Sequence, residues 1–395
     1  MNSRERFLKT FAGETPDRMP VTLFILDQGH FISQVYPDVD PCDYETLQIK
    51  VIEIQKQLGA DVFVRMLFGI NDPLHIHMGG VDITQQTENW EVKTEDYHNG
   101  NTLIKRSMIK TPGGILEQEF SINELRKGTL MYGCTKKPIN SIQDLEIAIK
   151  YEPGMPESFK EQSKRRVKKI REALGNDGIL GVWAPHGPFN NASLLIKHDD
   201  LYSLFLEDFE YYDKLMNFAS DRILDYTSAM DSAGADVLCV GGNVPGGFLG
   251  KPIYDEYILP YEKKYIEFCQ KNGTPAMYHN CGQIMNLVSS YKELGVKIVE
   301  PFSPQPLGDT DLKKAKDIVD GKYVMLVGVD QVNVLQKGTI DTVKKVTEMT
   351  VEAAKPGAKT IIQSADFLEY GTPLENLDAY IKTAKEYGNY QEGRP

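Results

Sequence analysis

The sequence predicts an α/β fold in which eight parallel strands alternate with helices and close into a (β/α)8 TIM barrel, with an antiparallel β insertion between strands 2 and 3. The main observation is a pattern that occurs seven times: an amphipathic helical segment ends at a glycine, and a β-branched apolar run follows within four residues. Glycine suits the left-handed residue that closes a helix, and a wholly apolar run suits a parallel strand covered by helices. With an opening strand, the predicted strands are Met19–Ile25, Asp61–Leu67, Ile179–Trp183, Asp236–Val240, Pro275–His279, Val296–Glu300, Tyr323–Gly328 and Lys359–Gln363.

An open, doubly wound sheet is the rival architecture. Such a sheet normally carries a phosphate-binding loop after a strand, but the sequence has no Gly-x-Gly-x-x-Gly motif, and Gly247–Lys251 lacks the first glycine of a P-loop. Eight βα units over 395 residues therefore favour a closed barrel, with residues 1–395 as one domain.

The long stretch at about residues 70–178 interrupts the barrel pattern. Three of its segments alternate in polarity, as strands with one buried face do: Trp90–Glu95, Thr102–Lys110 and Ile115–Ile122. Asn99-Gly100 and Gly113-Gly114 supply the hairpin turns between them, and Pro156–Leu174 is predicted as the helix that returns to the barrel.

Composition excludes several classes of protein. A formal net charge of −12 argues against nucleic acid as a partner, because no basic stripe is present to neutralise phosphates. The sequence contains no run of 18 apolar residues, which a membrane span would need. The charged start Met1–Glu5 has no apolar signal-peptide core, so we expect a cytoplasmic protein. Five scattered cysteines do not form a disulfide framework.

Active sites of such barrels lie at the carboxyl ends of the strands, and the fifth predicted strand ends in His279-Asn280-Cys281. Residues two apart on an extended segment face the same side, so His279 and Cys281 can bind one ion, and imidazole with thiolate is a pairing typical of zinc. A buried thiol beside a hydrogen-bonded histidine is the simpler alternative.

Two carboxylates follow later strands. Glu300 comes at the end of the sixth strand and Asp366 just after the eighth, and either could complete a metal site. The alternatives are a solvated loop acid for Glu300 and a helix cap or turn residue for Asp366. A second metal candidate, His75 with His77, lies in the insertion and away from any strand end.

Several segments resemble the uroporphyrinogen decarboxylase superfamily, whose members are barrels of this kind. The matching segments are Ser3–Arg6, Pro16–Pro20, Gly187–Phe189 and Gly371–Asn376. True decarboxylases of the superfamily carry Arg-Gln-Ala-Gly-Arg-Tyr after the first strand, and its arginines hold porphyrinogen carboxylates. The corresponding stretch, Leu26–Phe31, contains no arginine. Decarboxylation is therefore the weaker expectation.

The His-x-Cys pair instead resembles the zinc methyltransferases of the superfamily, which include methylcobalamin:coenzyme M methyltransferases and the first methyltransferases of corrinoid O-demethylase systems. In these enzymes a later cysteine often completes the zinc site and a glutamate can ligate. His279 and Cys281 match directly and Glu300 is a plausible match, but Asp366 holds the place of the later cysteine. The segment 299–309 is more similar to the O-demethylase branch.

The resemblance implies one Zn²⁺ per chain, held by His279, Cys281 and Glu300 with Asp366 as a ligand or an orienting group. It also implies a small methoxylated substrate and a corrinoid cofactor. Asp96-Tyr97-His98 resembles the start of the corrinoid-binding signature Asp-x-His-x-x-Gly, but Asn101 stands where the glycine is required. The corrinoid is therefore expected on a partner protein. Thiol methylation is the alternative, and a metal-free binding protein is the alternative from another class. A homodimer is compatible with the sequence.

Three further polar residues follow barrel strands and are candidates for orienting the substrate. These residues are His186 after strand 3, Asn243 after strand 4 and Asp330 near strand 7. Hydrogen bonding within their own loops is the alternative role for each.

Overall fold

The computed structural model describes residues 1–26, 30–68, 70–74, 81–126 and 129–390. The strands are β1 (Val62–Met66), β2 (Ile70–Asn71), β3 (Val81–Asp82), β4 (Glu91–Asn99), β5 (Thr102–Thr111), β6 (Gly114–Arg126), β7 (Thr129–Lys136), β8 (Gly178–Trp183), β9 (Val237–Gly241), β10 (Ala276–His279), β11 (Ile298–Phe302), β12 (Val324–Val329) and β13 (Thr360–Ser364). The α-helices are α1 (Ser3–Phe11), α2 (His30–Val35), α3 (Tyr44–Leu58), α4 (Ile142–Tyr151), α5 (Glu157–Leu174), α6 (Pro188–Leu195), α7 (His198–Glu207), α8 (Phe209–Ala229), α9 (Gly246–Ile253), α10 (Leu259–Gln270), α11 (Leu312–Val319), α12 (Ile340–Ala354) and α13 (Leu374–Tyr387).

Seven parallel strands form one curled sheet in the order β1-β8-β9-β10-β11-β12-β13. These strands correspond to the seven predicted from the helix-closing glycines, and their ends differ from the predicted ones by at most two residues. Their residues are buried on both faces, which explains why the sequence shows continuous apolar runs rather than alternation. The register places His279 beside Gly241 on one side and beside Glu300 on the other.

The predicted opening strand, Met19–Ile25, is extended but is not a regular strand. It makes one parallel bridge, between Val21 and Ile362, and the Thr22 N–H donates to the Ile362 carbonyl at 2.9 Å. On the other side, the Asp61 N–H donates to the Val21 carbonyl at 2.7 Å. The segment therefore lies between β13 and β1 and fills the eighth position. Its ladder is incomplete because Pro20 has no N–H and the Phe24 N–H bonds to the Ser364 hydroxyl instead of a backbone carbonyl.

A buried carboxylate fastens this segment to the barrel. Asp61, 2% exposed, accepts hydrogen bonds from the Arg6 and Arg18 guanidinium groups, each with a contact of 2.6 Å, and from the Val21 N–H at 2.8 Å. Two arginines from the first 18 residues thus share one carboxylate at the start of β1. This arrangement holds α1 and the opening segment against the amino-terminal end of the barrel.

The barrel interior and the layer outside it are separate apolar clusters. The inner cluster contains residues from alternate positions of the strands, together with Phe7 of α1: Phe7, Phe24, Phe63, Ile179, Trp183, Val237, Cys239, Met277, Ile298, Val324, Leu326 and Ile361. The larger outer cluster packs the opposite strand faces against the helices. The inner cluster fills the barrel interior, and the carboxyl ends of the strands are where active sites of such barrels lie.

The insertion between β1 and β8 contains the predicted antiparallel sheet. Its order is β4-β5-β6-β7, and the hairpin turns fall at Asn99-Gly100 and Gly113-Gly114, as the sequence predicts. The fourth strand, β7, was not predicted, because its glycine and scattered polar residues break the alternation. The predicted returning helix is α5, which begins at Glu157.

Among the described residues, no helix has both the length and the apolar character needed to cross a bilayer.

Candidate metal centre

Three side chains predicted as metal ligands meet at the carboxyl ends of the strands. His279 is the last residue of β10, Cys281 follows it by two positions, and Asp366 lies two residues beyond β13. Each offers one ligand atom, and these atoms all lie within 4.8 Å of one another. Parallel strands bring these residues to the same rim, although Asp366 is 85 positions from Cys281 in the sequence.

This group fits a zinc ion by its chemistry. A ring nitrogen, a thiol sulfur and a carboxylate oxygen are all common zinc ligands, with bonds of about 2.0–2.3 Å. The three candidate ligand atoms lie within 4.8 Å of one another, close to the separation of atoms that share one ion. Three protein ligands leave a fourth tetrahedral position open, which is the arrangement of catalytic rather than structural zinc sites.

Glu300 is not part of this group, which corrects its predicted place at a strand end. β11 continues to Phe302, so Glu300 lies inside the strand and is fully buried in the barrel interior. Its carboxylate contacts His279 Nδ1 at 3.1 Å and pairs with the Arg65 guanidinium at 2.8 Å. The structure therefore places Glu300 behind His279 and outside the group of three close ligand atoms.

The charges around His279 favour a cation at the centre. Burial disfavours the charged imidazole, but hydrogen bonds to Cys281 and Glu300 outweigh it and raise the pKa of His279 to about 10. Burial also opposes ionisation of Glu300, yet Arg65 and His279 hold the pKa of this carboxyl below its usual value. Burial raises the pKa of Asp366. An environment that stabilises an imidazolium this strongly also suits a metal cation beside the same acids.

Asn280, between the two predicted ligands, fixes the loop that carries them. It is fully buried, its side-chain oxygen accepts from the Val244 N–H at 2.6 Å, and its amide donates to the Tyr291 hydroxyl at 2.7 Å. His279 and Cys281 therefore project from a backbone that is tied to the loop after β9. Sequence reasoning did not single out Asn280, which looked like a linker between the two ligands.

A cavity of about 720 Å³ opens beside His279, Cys281 and Asp366, which together are called the metal group below. Aromatic side chains form much of its wall: Phe24, Trp90, Trp183, Phe218, Tyr226 and Phe367. Trp183 lies edge-on to the His279 ring, with centroids 5.9 Å apart. The insertion contributes to the wall through Ile83, Gln85, Trp90 and Ile149, so barrel and insertion enclose the space together.

The far part of the cavity is acidic. Its carboxylates are Asp72, Glu152, Asp221 and Asp225, with Asp366 at the metal end. Among the described lining residues, Arg222 is the only arginine or lysine. Its guanidinium already bonds Asp72 at 2.6 Å and Glu152 at 2.8 Å. The cavity is thus a poor place for a polyanion.

The three predicted substrate-orienting residues have different positions. His186 and Asn243 both line the cavity, His186 beside Trp183 with ring centroids 5.8 Å apart. Asp330 does not line it. Its carboxylate caps the π-helical turn Gln331–Gln336 through the N–H groups of Val332 and Asn333, at 2.8 and 2.7 Å. The substrate-orienting role of Asp330 stays a prediction, and the structure shows its carboxylate as a cap.

The sequence offered further histidine candidates outside the strand ends. His75 and His77 lie outside the described residues. Asp96 and His98, from the incomplete corrinoid signature, are exposed on β4, and Asp96 pairs with Lys105 at 2.6 Å. Two residues that sequence reasoning missed, Arg65 and Gln363, lie directly behind the metal group. An arginine within the apolar run of β1 was the signal that could have indicated the first.

Residues 134–387 match the model of the uroporphyrinogen decarboxylase (URO-D) family, and the chain belongs to this family. Within it, the chain is 27% identical over 297 residues to the methylcobamide:CoM methyltransferase MtbA of Methanosarcina acetivorans, covering 73% of this chain and 82% of that protein. It is 23% identical over 200 residues to a methylated-thiol–coenzyme M methyltransferase of Methanosarcina mazei, covering 50% and 51%. A methyltransferase structure from Methanosarcina mazei shares the fold over 98% of this chain and 99% of that one, with a TM-score of 0.70 at 16% identity.

Proposed function

We propose that this protein is a zinc-dependent methyltransferase that moves a methyl group from a small methoxylated compound to the reduced corrinoid of a separate protein. The observation that carries the proposal is the group of His279, Cys281 and Asp366 on the wall of a large cavity at the carboxyl rim of the barrel. The names of the relatives support it, because methylcobamide is a methylated corrinoid. Asn101 in place of the signature glycine supports a corrinoid carried in trans.

The residues of the site have separable tasks. His279, Cys281 and Asp366 would hold the zinc ion, which when bound supplies Lewis acidity that helps an ether oxygen leave with its electron pair. Glu300 keeps the His279 ring in one orientation. The aromatic wall, with Trp183 beside His279, provides an apolar surface for the rest of the substrate and limits water near the reacting atoms.

Two features favour an ether over a thiol as the substrate. Asp366 supplies oxygen where related thiol methyltransferases have a cysteine, and a carboxylate leaves the ion harder and more electron-withdrawing than a thiolate does. Among the described residues that line the cavity, Arg222 is also the single arginine or lysine, and it is paired with two carboxylates. A thiol that carries a sulfonate, such as coenzyme M, would meet acidic side chains there.

Methylation of a thiol remains the second candidate, because the curated relatives are named as coenzyme M methyltransferases. In that reaction zinc would hold the substrate sulfur as a nucleophile, and the methyl group would move from the corrinoid to the thiol. The same three ligands would serve both reactions. The direction of transfer therefore has to be measured.

The deciding experiment supplies zinc-loaded protein with a reduced corrinoid carrier and a panel of methoxylated aromatic and aliphatic compounds. Formation of methylcobalamin, followed by its absorbance, is the expected result. In parallel, methylcobalamin is offered with coenzyme M and with uncharged thiols. Rapid methylation of a thiol without ether cleavage would overturn the ether assignment and establish the second candidate.

A further inference from the structure

We propose that Arg65 and Gln363 are positioning residues that keep Glu300 as the hydrogen-bond acceptor of His279 Nδ1, so that Nε2 is the nitrogen that binds the metal and Glu300 stays outside the coordination sphere. The inference rests on the proposed function insofar as it concerns the same metal site. It adds two residues, Arg65 of β1 and Gln363 of β13, that act on the site through Glu300.

The argument starts from the number of bonds that a carboxylate can accept. Two oxygens offer about four lone-pair sites. Oε1 of Glu300 accepts from Arg65 Nη1 at 2.9 Å and contacts His279 Nδ1 at 3.1 Å. Oε2 contacts Arg65 Nη2 at 2.8 Å and accepts from the Gln363 side-chain amide at 3.1 Å. All four sites are occupied, so Glu300 has no lone pair left for a metal ion.

Arg65 is itself held in place. Its guanidinium stacks over the Phe24 ring, 3.9 Å from the centroid, and lies 4.6 Å from that of Phe63. Gln363 bridges the pair, because its oxygen accepts from Arg65 Nη2 while its amide donates to Glu300. A planar guanidinium presents two parallel donors to a carboxylate, which fixes the rotation of the acid as well as its distance.

Burial makes this arrangement rigid and costly to disturb. Arg65 is 5% exposed, and Glu300 and Gln363 are fully buried. Because Oε1 of Glu300 lies 3.1 Å from Nδ1 and the same carboxylate is paired with the Arg65 guanidinium, a neutral imidazole in this position carries its proton on Nδ1. The nitrogen left as an acceptor is Nε2, and a carboxylate behind a ligating histidine also increases the basicity of that ligand.

The first test is made on the wild-type protein, with one variant used only to assign the signals. Zinc-loaded protein with ¹⁵N-labelled histidine is measured by long-range ¹⁵N–¹H NMR, which distinguishes a protonated from a metal-bound ring nitrogen. We expect Nδ1 of His279 to be protonated and Nε2 to be bound to zinc, with His279→Ala providing the assignment. Zinc on Nδ1 would overturn the inference.

The second test compares zinc affinity by competition with a chelator, a readout independent of turnover. Arg65→Met and Gln363→Leu should weaken zinc binding by about 10- to 100-fold, the usual effect of losing a group that orients a metal ligand. Gln55→Leu is the matched control, because Gln55 is equally buried but bonds Thr22 and the Phe63 backbone instead. Its zinc affinity should remain that of the wild type.

The outcomes separate the two proposals. If Arg65→Met does not fold, Gln363→Leu, which introduces no unpaired charge, carries the comparison. Folded variants of Arg65 and Gln363 with wild-type zinc affinity would overturn the positioning role while leaving the metal centre intact. A wild-type protein that binds no zinc at all would overturn the proposed function, and the inference with it.

Discussion

His279 and Cys281 lie two residues apart on one segment, but their side chains have different surroundings. The His279 ring is 7% exposed and is fixed from behind by Glu300, whereas Cys281 is exposed at the cavity. Removing the thiol therefore disturbs few packing contacts, while removing the imidazole leaves a buried carboxylate short of one partner. For this reason Cys281 is the better residue with which to test the metal centre.

We predict that Cys281→Ala loses most of its zinc while the protein remains folded. The reason is that one of three protein ligands disappears from an exposed position. Zinc content is measured by elemental analysis after dialysis, and folding by circular dichroism. Cys42→Ala is the control, since Cys42 is a partly exposed thiol that belongs neither to the candidate metal group nor to the cavity lining, and this variant should keep its zinc. Full zinc in both variants would eliminate the centre as described.

At the residue scale, the sequence indicated which residues are candidate ligands better than it indicated where their side chains lie. His279, Cys281 and Asp366 were predicted from their positions after apolar runs, and the structure brings them together. Glu300 was predicted by the same reasoning but lies within β11, because the strand extends two residues beyond its predicted end at Glu300. Strand ends are the least certain part of a pattern, and a shift of two residues separates a rim ligand from an interior acid.

At the scale of elements, polar residues in the loops after the strands have two kinds of role: some line the cavity, and others cap the helical turn that follows. Asp330 belongs to the second kind. Its carboxylate accepts two backbone N–H groups and the Asn333 amide, so its acceptor sites are directed at its own turn. A carboxylate engaged in this way is not free to orient a substrate.

We predict that Asp330→Ala lowers the free energy of unfolding by about 1 kcal/mol, the usual cost of losing a helix cap. Zinc content and KM for the methyl donor should not change. Urea denaturation measures the first and steady-state kinetics the second. Asp311→Ala is the matched variant, because Asp311 caps α11 through the Lys314 N–H, and it should lower the free energy of unfolding by a similar amount. An Asp330→Ala protein of normal stability with a much higher KM would restore the substrate-orienting role.

For the whole molecule, the cavity combines residues from the barrel and from the insertion. The barrel supplies the metal group and Trp183, and the insertion supplies Trp90 and Ile149. The acidic far part arises where Arg222 of α8 bonds Asp72 and Glu152, which come from the segments before and after the antiparallel sheet. The shape and charge of the cavity therefore depend on both parts together.

We predict that the protein does not convert uroporphyrinogen to coproporphyrinogen, although it belongs to the URO-D family. A substrate with eight carboxylates would face the acidic wall, and Arg222 is already neutralised by two acids. Anaerobic incubation followed by chromatography should recover the substrate unchanged. Efficient decarboxylation would contradict both this prediction and the methyltransferase proposal.

The sequence by itself determined the class of fold, because helix-closing glycines and apolar strands are local signals repeated along the chain. It also determined which residue types stand at the carboxyl rim, including His279 and Cys281. Only the tertiary structure decided that Arg65, Glu300 and Gln363 form one buried group behind His279, and that Asp330 is a cap. Arg65 and Glu300 are 235 positions apart, so their pairing depends on closure of the sheet. Such closure leaves no pattern in the sequence around either residue.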